Sequence, residues 1–266
     1  NGNASIASSG YDVGLVGVGS GLMPPAGSDV IKVGGNLTVN GPLVGQLKGT
    51  DNSPISANIR VGGSKSGSGS VTVTDTSTSD KGQITYNMGK AAALGSPTFS
   101  DWPKNNFEIL KTVADRNLNH AANGVGNPVD DGVYLTLNGV AGKSRHVFTV
   151  SASQTNGRDL RIGNNIQPTH PVIIKVTGSG TVNINISDYY VGSTQILMGT
   201  TRYGQMASQI LWVVPDATNV TLGGAQLPGS VIVQNPNSTT TNAAAGTNGR
   251  IWVAGNLVHN NPNGSE

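Results

Sequence analysis

Ile31-Lys-Val-Gly-Gly-Asn36 is one copy of a short phrase that recurs along this chain at the end of apolar runs. It returns as Ile59-Arg-Val-Gly-Gly-Ser64, Leu160-Arg-Ile-Gly-Asn-Asn165 and Ile251-Trp-Val-Ala-Gly-Asn256, with a looser version at Leu15-Val-Gly-Val-Gly-Ser20. Alternating apolar residues predict strands with one buried face. The Gly or Gly-Asn that follows permits the backbone of a tight corner. Strands that alternate with corners are typical of a parallel β-solenoid.

The repeat therefore predicts a mainly β fold, a right-handed parallel β-solenoid (β-helix) of irregular coils. Val172-Ile-Ile-Lys-Val176 and Gln209-Ile-Leu-Trp-Val-Val214 are nearly continuous apolar runs, which indicates strands covered on both faces. The polar segment 237–248 is expected to be a surface loop. Strands are predicted at 13–18, 30–39, 43–48, 55–61, 70–74, 83–88, 133–137, 146–151, 159–162, 172–176, 181–186, 195–198, 210–214, 218–222, 230–233 and 250–258.

One segment is helical in pattern. Ser100 and Asp101 are residues that cap helices, Pro103 suits a first turn, and apolar residues from Phe107 to Ala121 recur at spacings of three or four. We expect one long helix, about 103–121, along the side of the solenoid. The predicted organisation is an N-terminal extension, 1–10, followed by a single β-solenoid domain, 11–266.

Composition narrows the class of protein. The 266 residues include 38 Gly, only 11% charged residues, and no Cys, with a net charge of +2. No cluster of Lys or Arg is present, so neither nucleic acid nor an anionic membrane is an expected partner. Without Cys there are no disulfides and no thiolate metal sites. A neutral surface of Ser, Thr and Asn is typical of extracellular β-rich proteins.

The C-terminal third carries a family resemblance. Gln209-Ile-Leu-Trp-Val-Val-Pro-Asp-Ala-Thr-Asn-Val-Thr-Leu-Gly-Gly224, Gln226-Leu-Pro-Gly-Ser-Val-Ile-Val233 and Gly249-Arg-Ile-Trp-Val-Ala-Gly-Asn-Leu257, with the closing Gly264-Ser-Glu266, resemble the closing signature of the choice-of-anchor A domain family. The early Val33-Gly-Gly-Asn-Leu-Thr38 is similar to that family's repeated motif. The resemblance implies a bacterial cell-surface domain of the adhesin or pilus-tip type, and it supplies no catalytic residues.

Candidate catalytic groups are sparse. Asp130-Asp131 is the one adjacent acidic pair, and it is a weak candidate for a calcium site or an acid–base pair; a polar turn is the alternative. His120, His146, His170 and His259 are far apart in sequence, without zinc-binding spacing. Neither a nucleophile elbow nor a phosphate-binding loop is present. We expect no enzyme activity, no cofactor and no metal.

A ligand-binding surface is the remaining prediction. Tyr189, Tyr190, Arg202 and Tyr203 lie in a stretch rich in aromatic and polar residues, which is a composition that recognition sites use. The alternative is that the tyrosines pack against the flank of the solenoid. Thr181-Val-Asn-Ile-Asn-Ile186 and Val71-Thr-Val-Thr-Asp-Thr-Ser-Thr78 also suggest short Thr/Asn ladders of the kind found on ice-binding solenoids.

Together these features predict a non-catalytic adhesin domain on the bacterial cell surface or at a pilus tip, with the anchor outside this chain. Its expected partners are a host glycan or extracellular-matrix protein and other subunits of the same surface assembly. Two alternatives stay open. One is a β-helix carbohydrate-active enzyme using Asp130, Asp131 and Asp159; the other is an ice-binding or purely structural surface domain.

Overall fold

The computed structural model describes residues 3–6, 11–13, 27–45, 47–48, 54–73, 82–89, 92–93, 102–224, 226–244 and 246–260. The described part of the chain is mainly β, with largely parallel sheets, the helices α1 (Trp102–Leu118) and α2 (Thr201–Gln209), and a 3-10 helix at Ala152–Thr155. It divides into a first unit, residues 1–105 with 257–266, and a second unit, residues 106–256. The looser phrase at 15–20, the predicted strand residues 14–18 and the closing motif at 264–266 lie outside the described residues.

The strands are short and follow one another in chain order. They are β1 Ala4–Ile6, β2 Tyr11–Val13, β3 Ser28–Val33, β4 Leu37–Val39, β5 Leu43–Gly45, β6 Leu47–Lys48, β7 Pro54–Ile55, β8 Ala57–Val61, β9 Lys65–Ser66, β10 Val71–Val73, β11 Ile84–Thr85, β12 Asn123–Val125, β13 Asn127–Asp130, β14 Tyr134–Asn138, β15 Arg145–Ser151, β16 Asn156–Ile162, β17 Val172–Thr177, β18 Thr181–Val191, β19 Thr194–Gln195, β20 Ile210–Val214, β21 Asn219–Gly224, β22 Gln226–Pro228, β23 Ser230–Val233, β24 Thr239–Asn242, β25 Gly246–Asn248, β26 Ile251–Val253 and β27 Asn256–His259.

The first unit contains three small parallel sheets, ordered β27-β1-β4-β9, β10-β5-β2 and β11-β8-β3. Apart from β27 and β1, neighbouring strands bring together residues about one repeat apart. The hydroxyls of Thr38 and Ser66, 28 positions apart, lie 2.9 Å from each other. The alternating inward residues of β4 and β8 form a small aliphatic core. Three residues of the segment predicted as an N-terminal extension form β1, which pairs with β4; the predicted domain boundaries stay predictions.

The recurring Gly-Asn corner has a physical reason. The side-chain oxygen of Asn36 accepts a hydrogen bond from the backbone N–H of Ser64 at 3.0 Å, one repeat further on. At Gly63 a Cβ atom would run into that same oxygen. The arrangement recurs where Gly163 lies against the side chain of Asn138. Glycine is therefore needed at these corners because the neighbouring Asn side chain occupies the space.

The second unit has two large, mainly parallel sheets, ordered β13-β14-β16-β18-β21-β24 and β12-β15-β17-β20-β23-β26, and a small parallel sheet of β22 and β25. Antiparallel pairing is limited, among the described strands, to β6–β7, β13–β14 and β18–β19. The inward residues of both sheets share one aliphatic core, which includes the fully buried Phe148, Leu160 and Trp212. Each such side chain contributes about 1.5–3 kcal/mol by leaving water.

Helix α1 covers the outward side of the second sheet. Leu110, Ala114 and Leu118 pack on Ile173 and Val213, which alternate with core-facing neighbours on β17 and β20. The prediction that these apolar runs are covered on both faces is confirmed. The helix ends at Leu118 rather than at 121, because the side-chain amide of Asn123 donates to the carbonyls of Asn117 and Leu118. No helix in the described part of the chain is long and apolar enough to cross a membrane.

Two local predictions were wrong. The segment at 201–209 is helical, with the Thr200 hydroxyl capping its first turn through the N–H of Tyr203. The segment 237–248 is not a simple surface loop, because it contains β24 and β25, which pair with β21 and β22. Thr240 and Asn242 of β24 are buried despite their polarity. Polar composition led to the second error, since a buried polar strand resembles a loop in sequence.

Candidate functional site

Two of the predicted ligand-binding residues are core residues. The side chains of Tyr189 and Tyr203 are only 1% and 2% exposed, and their rings meet edge to face with centroids 5.6 Å apart. The Tyr203 hydroxyl donates to the carbonyl of Gln226 at 2.6 Å. Burial raises the pKa of both hydroxyls above the ordinary value of 10. The structure thus places these two tyrosines where they fasten α2 to the core, not at an accessible surface.

The other two predicted residues are accessible but are not brought together. Tyr190 is half-buried and points outward from β18, whereas Arg202 is exposed on the first turn of α2. Among the described residues, no hydrogen bond, ion pair or ring contact joins Arg202 to Tyr190. The contacts of Tyr190 instead lead to the neighbouring strands of its own sheet.

Those contacts form a compact cluster around Arg161. The guanidinium carbon of Arg161 lies 3.5 Å from the ring centroid of Tyr134 and 5.7 Å from that of Tyr190. The two rings meet edge to face, with centroids 5.3 Å apart and planes at 88°. Cation–π contact of this kind holds a guanidinium in one orientation. Partial desolvation and the neighbouring Tyr134 raise the pKa of the Tyr190 hydroxyl, so it is protonated at neutral pH.

The strand register extends this cluster into a grid. Tyr134 of β14 pairs with Asp159 of β16, and Arg161 pairs with both Thr136 and Tyr190. Outward residues alternate with buried ones on all three strands. We call the half-buried outward set the aromatic–arginine face; it comprises Tyr134, Thr136, Asp159, Arg161, Asp188 and Tyr190.

Two carboxylates contribute acceptors to this face. Asp159 accepts a hydrogen bond from the backbone N–H of Asp188 at 3.1 Å, and the carboxylate of Asp188 accepts one from the side-chain amide of Gln195 at 3.0 Å. A carboxylate has about four acceptor positions, so both retain capacity for other donors. The face therefore combines a cation, hydroxyls, carboxylates and aromatic rings.

Asp130 and Asp131 form the turn that leads into β14. One Asp131 oxygen accepts from the backbone N–H groups of Tyr134 at 2.7 Å and Val133 at 2.9 Å, and these bonds lower its pKa. Asp130 pairs with Arg158 at 2.9 Å and accepts from the N–H of Gly132, and its pKa is also lowered. Both carboxylates are thus ionised and held by hydrogen bonds in the turn. A polar turn was the alternative that the sequence analysis gave for this pair. Within the described part of the chain, no three metal-ligating side chains lie close enough to hold an ion.

The histidine pair was not foreseen from sequence spacing. Nε2 of the buried His146 lies 3.1 Å from Nδ1 of His170, and the backbone N–H of Val140 donates to Nδ1 of His146. Burial, with a smaller effect from His170, lowers the pKa of His146. The pair ties the loop before β17 to β15 and is structural in its contacts.

A second outward surface lies on the same sheet. In register, Thr181 pairs with Asn219 and Asn219 with Thr239. One step along, Asn183, Thr221 and Thr241 form a second such row. We call this surface the threonine–asparagine face; it comprises Thr181, Asn183, Asn219, Thr221, Thr239 and Thr241. The predicted ladder at 181–186 therefore continues across three strands, whereas most of the ladder predicted at 71–78 lies outside the described residues.

The chain matches one family over residues 1–265, described as "Putative Ice-binding-like adhesive domain". This protein belongs to that family. The match supports an adhesin-type surface domain in general terms. No curated protein is significantly similar to the chain.

Sequence reasoning missed Tyr134 and Arg161. Leu160-Arg-Ile162 was recognised as one copy of the repeat, and Arg161 is the outward residue of that copy. The second residue of the recurring phrase could have indicated Arg161 from sequence alone. In the four copies this residue is Lys32, Arg60, Arg161 and Trp252. The side chains of Lys32, Arg60 and Arg161 are accessible there, whereas Trp252 packs against the apolar cluster that contains Ile173 and Val213.

Proposed function

We propose that this protein is a non-catalytic adhesive domain displayed on a bacterial surface, where it binds a host glycan or an extracellular-matrix protein. The observation that carries the proposal is the aromatic–arginine face, an outward cluster of binding-type side chains on a parallel sheet, in a chain of an adhesive-domain family. Tyr and Arg are the residues that most often dominate recognition energetics.

We further propose that the parallel sheets are the sides of a right-handed β-solenoid. Strand pairing at offsets near 28 residues in three separate sheets supports this, because successive turns of a coil place equivalent strands side by side. Continuous backbone hydrogen bonding would make such a platform rigid and resistant to proteases. The resemblance to choice-of-anchor A domains supports attachment to the cell wall or membrane, or to other pilus subunits.

The arrangement of carboxylates favours binding over catalysis. A glycosidase needs one carboxylic acid with a raised pKa beside an ionised partner. Asp130 and Asp131 have lowered pKa values and are held in a turn by an arginine and by backbone N–H groups. These carboxylates are suited to fixing the start of β14 and not to donating a proton.

The test is an array of host glycans and matrix proteins probed with the purified protein, with released sugar assayed in the same wells. Saturable binding without sugar release is the expected result. Sugar release would replace the proposal with the enzyme alternative. If the array shows neither binding nor release, the domain is not an adhesin for these ligands, and the structural role takes its place.

Ice binding is a second candidate, favoured by the two in-register rows of the threonine–asparagine face. Regularly spaced hydroxyl and amide groups on parallel strands repeat every strand spacing of about 4.8 Å. Inhibition of ice recrystallisation by the protein, lost on Thr221→Tyr and kept in the control Thr169→Tyr, an exposed residue of the turn before β17, would establish it. Absence of inhibition at high protein concentration would remove it.

A further inference from the structure

Arg161 is half-buried, yet its side chain forms no hydrogen bond or ion pair with another described residue. Its guanidinium lies on the Tyr134 ring. Its Nε is buried without a hydrogen-bond partner, and in the described part of the chain no carboxylate forms an ion pair with it. Because Nε is shielded from solvent, the terminal amino groups of the guanidinium, which form no hydrogen bond within the described residues, are the donors that remain for a ligand. An oriented, unpaired guanidinium of this kind is a preorganised donor for a ligand.

The remaining groups of the face determine which ligand fits. Asp159 and Asp188 lie in the row beside Arg161, so the face carries two carboxylates for one guanidinium. This balance disfavours an anionic ligand, because a sulfate, sialate or uronate would meet like charge. Carboxylates accept hydrogen bonds from hydroxyls and a guanidinium donates two in parallel, so adjacent hydroxyl groups satisfy both at once.

The aromatic residues of the face supply apolar surface for a ligand. Tyr134 and Tyr190 lie on adjacent positions around Arg161, with a protonated hydroxyl on Tyr190 that can donate or accept. A pyranose ring presents C–H groups on one side and hydroxyl groups along its edge. Mixed apolar and polar side chains in a fixed arrangement are the usual composition of sites for small polar ligands.

From this geometry we propose that the aromatic–arginine face is a binding site for a neutral saccharide, held through adjacent hydroxyl groups by Arg161, Asp159 and Asp188 and stacked beside Tyr190. The inference rests on the adhesive function proposed above and names the ligand class of that site. Affinity for a single sugar unit is weak, with Kd on the order of millimolar, and display of many copies on a surface would raise the avidity.

The experiment uses ligand-observed NMR titrations with the methyl glycosides of glucose, galactose, mannose, fucose and N-acetylglucosamine, against sialyllactose and glucuronic acid. At least one neutral glycoside is expected to bind, and the acidic sugars are expected to bind at least about ten-fold more weakly. Arg161→Gln should weaken binding at least about ten-fold, and Tyr190→Phe about two- to five-fold, since it removes only a hydroxyl. Thermal melting of each variant checks that the fold is retained.

Arg202→Gln is the matched control, because Arg202 is exposed on α2 and does not contact Tyr190; it should bind within about two-fold of the wild type. Binding that survives Arg161→Gln, or a preference for the acidic sugars, overturns the inference. If no glycoside binds while the protein still adheres to a matrix protein on the array, the saccharide site is wrong and the adhesive function stands. If no glycoside binds and the protein adheres to nothing on the array, both the saccharide site and the adhesive function are wrong.

Discussion

Two parts of one sheet in the second unit face solvent with different chemistry. Strands β14, β16 and β18 carry the aromatic–arginine face, whereas β18, β21 and β24 carry the threonine–asparagine face. The inward residues of β14, β16, β18 and β21 are aliphatic apart from Tyr189, for example Leu135, Leu160, Ile184 and Leu222. Only β24, beneath the threonine–asparagine face, differs inside, because it buries Thr240 and Asn242. On the other strands the inward residues are alike, so an apolar core does not dictate the outward chemistry of either face.

The largest effects should come from the shared inward side, where the two parts are alike. Leu160→Ala on β16 and Leu222→Ala on β21 each remove a fully buried side chain from one core. Both are expected to lower the free energy of unfolding by about 2–5 kcal/mol. Urea denaturation measures this, with Thr221→Ala as an outward control within about 0.5 kcal/mol. A much smaller loss for Leu222→Ala would show that the part beneath the threonine–asparagine face is built differently.

Acid should unfold the protein without first altering the aromatic–arginine face. Burial lowers the pKa of His259 from 6.5 to about 4 in the folded state. Between those values the unfolded chain binds a proton that the folded chain does not, so stability falls as pH decreases from about 6.5 to 4 and then levels off. The loss is on the order of 3 kcal/mol. Burial, and to a lesser degree His170, shifts the pKa of His146 in the same direction.

The measurement is the free energy of unfolding at pH 7.5, 6.0, 5.0 and 4.5 for the wild type and for His259→Gln. The free energy of unfolding of the variant should depend less steeply on pH, whatever its value at pH 7.5.

The pKa of Asp131 is lowered by the N–H groups of Tyr134 and Val133, so the contribution of this carboxylate is lost only as pH falls below 3.8. Saccharide binding should therefore persist until the fold itself is lost. Binding lost at a pH where the chain is still folded would contradict this.

The two parts differed in how far they could be predicted from sequence. The threonine–asparagine face follows from simple alternation at 181–186, and the helix α1 from its apolar spacing. The aromatic–arginine face depends on register, which alternation does not encode. Arg158 pairs with Ile186, and an unbroken register would bring Arg161 opposite the buried Tyr189. A register shift between Arg158 and Leu160 places Arg161 opposite Tyr190 instead. A bulge of this kind leaves no compositional mark.

Helix α2 was missed for a different reason. Thr200 is a good capping residue, and Tyr203, Met206, Ala207 and Ile210 have helical spacing. The segment was interpreted by its aromatic and polar composition, as a ligand surface, and its periodicity was overlooked. Because the buried face of a short helix is defined by spacing, the same tyrosine that suggested binding is a core residue.

An intermediate effect is expected at the turn that leads into the aromatic–arginine face. Asp131→Ala removes the acceptor for the N–H groups of Tyr134 and Val133. Asp131 is a positioning residue, so its loss should weaken saccharide binding about three- to ten-fold through displacement of Tyr134. Asp131→Asn keeps an acceptor oxygen and should restore most of the affinity. If Asp131→Asn and Asp131→Ala bind equally, the effect is one of charge and not of turn geometry.

The smallest effect should come from the ion pair beside that turn. Arg158 Nε lies 2.9 Å from Asp130, with side chains 25% and 20% exposed, and an ion pair so near the surface contributes less than about 1 kcal/mol. Arg158→Ala, Asp130→Ala and the double variant form a thermodynamic cycle that isolates this contribution. Because Asp130 also accepts a hydrogen bond from Gly132, Asp130→Ala should lower the free energy of unfolding more than Arg158→Ala does.

Saccharide binding should change less than two-fold in Arg158→Ala, since Arg158 lies before the register shift and Arg161 after it. A larger change would mean that the bulge itself, and not the Tyr134 ring, holds Arg161 in place.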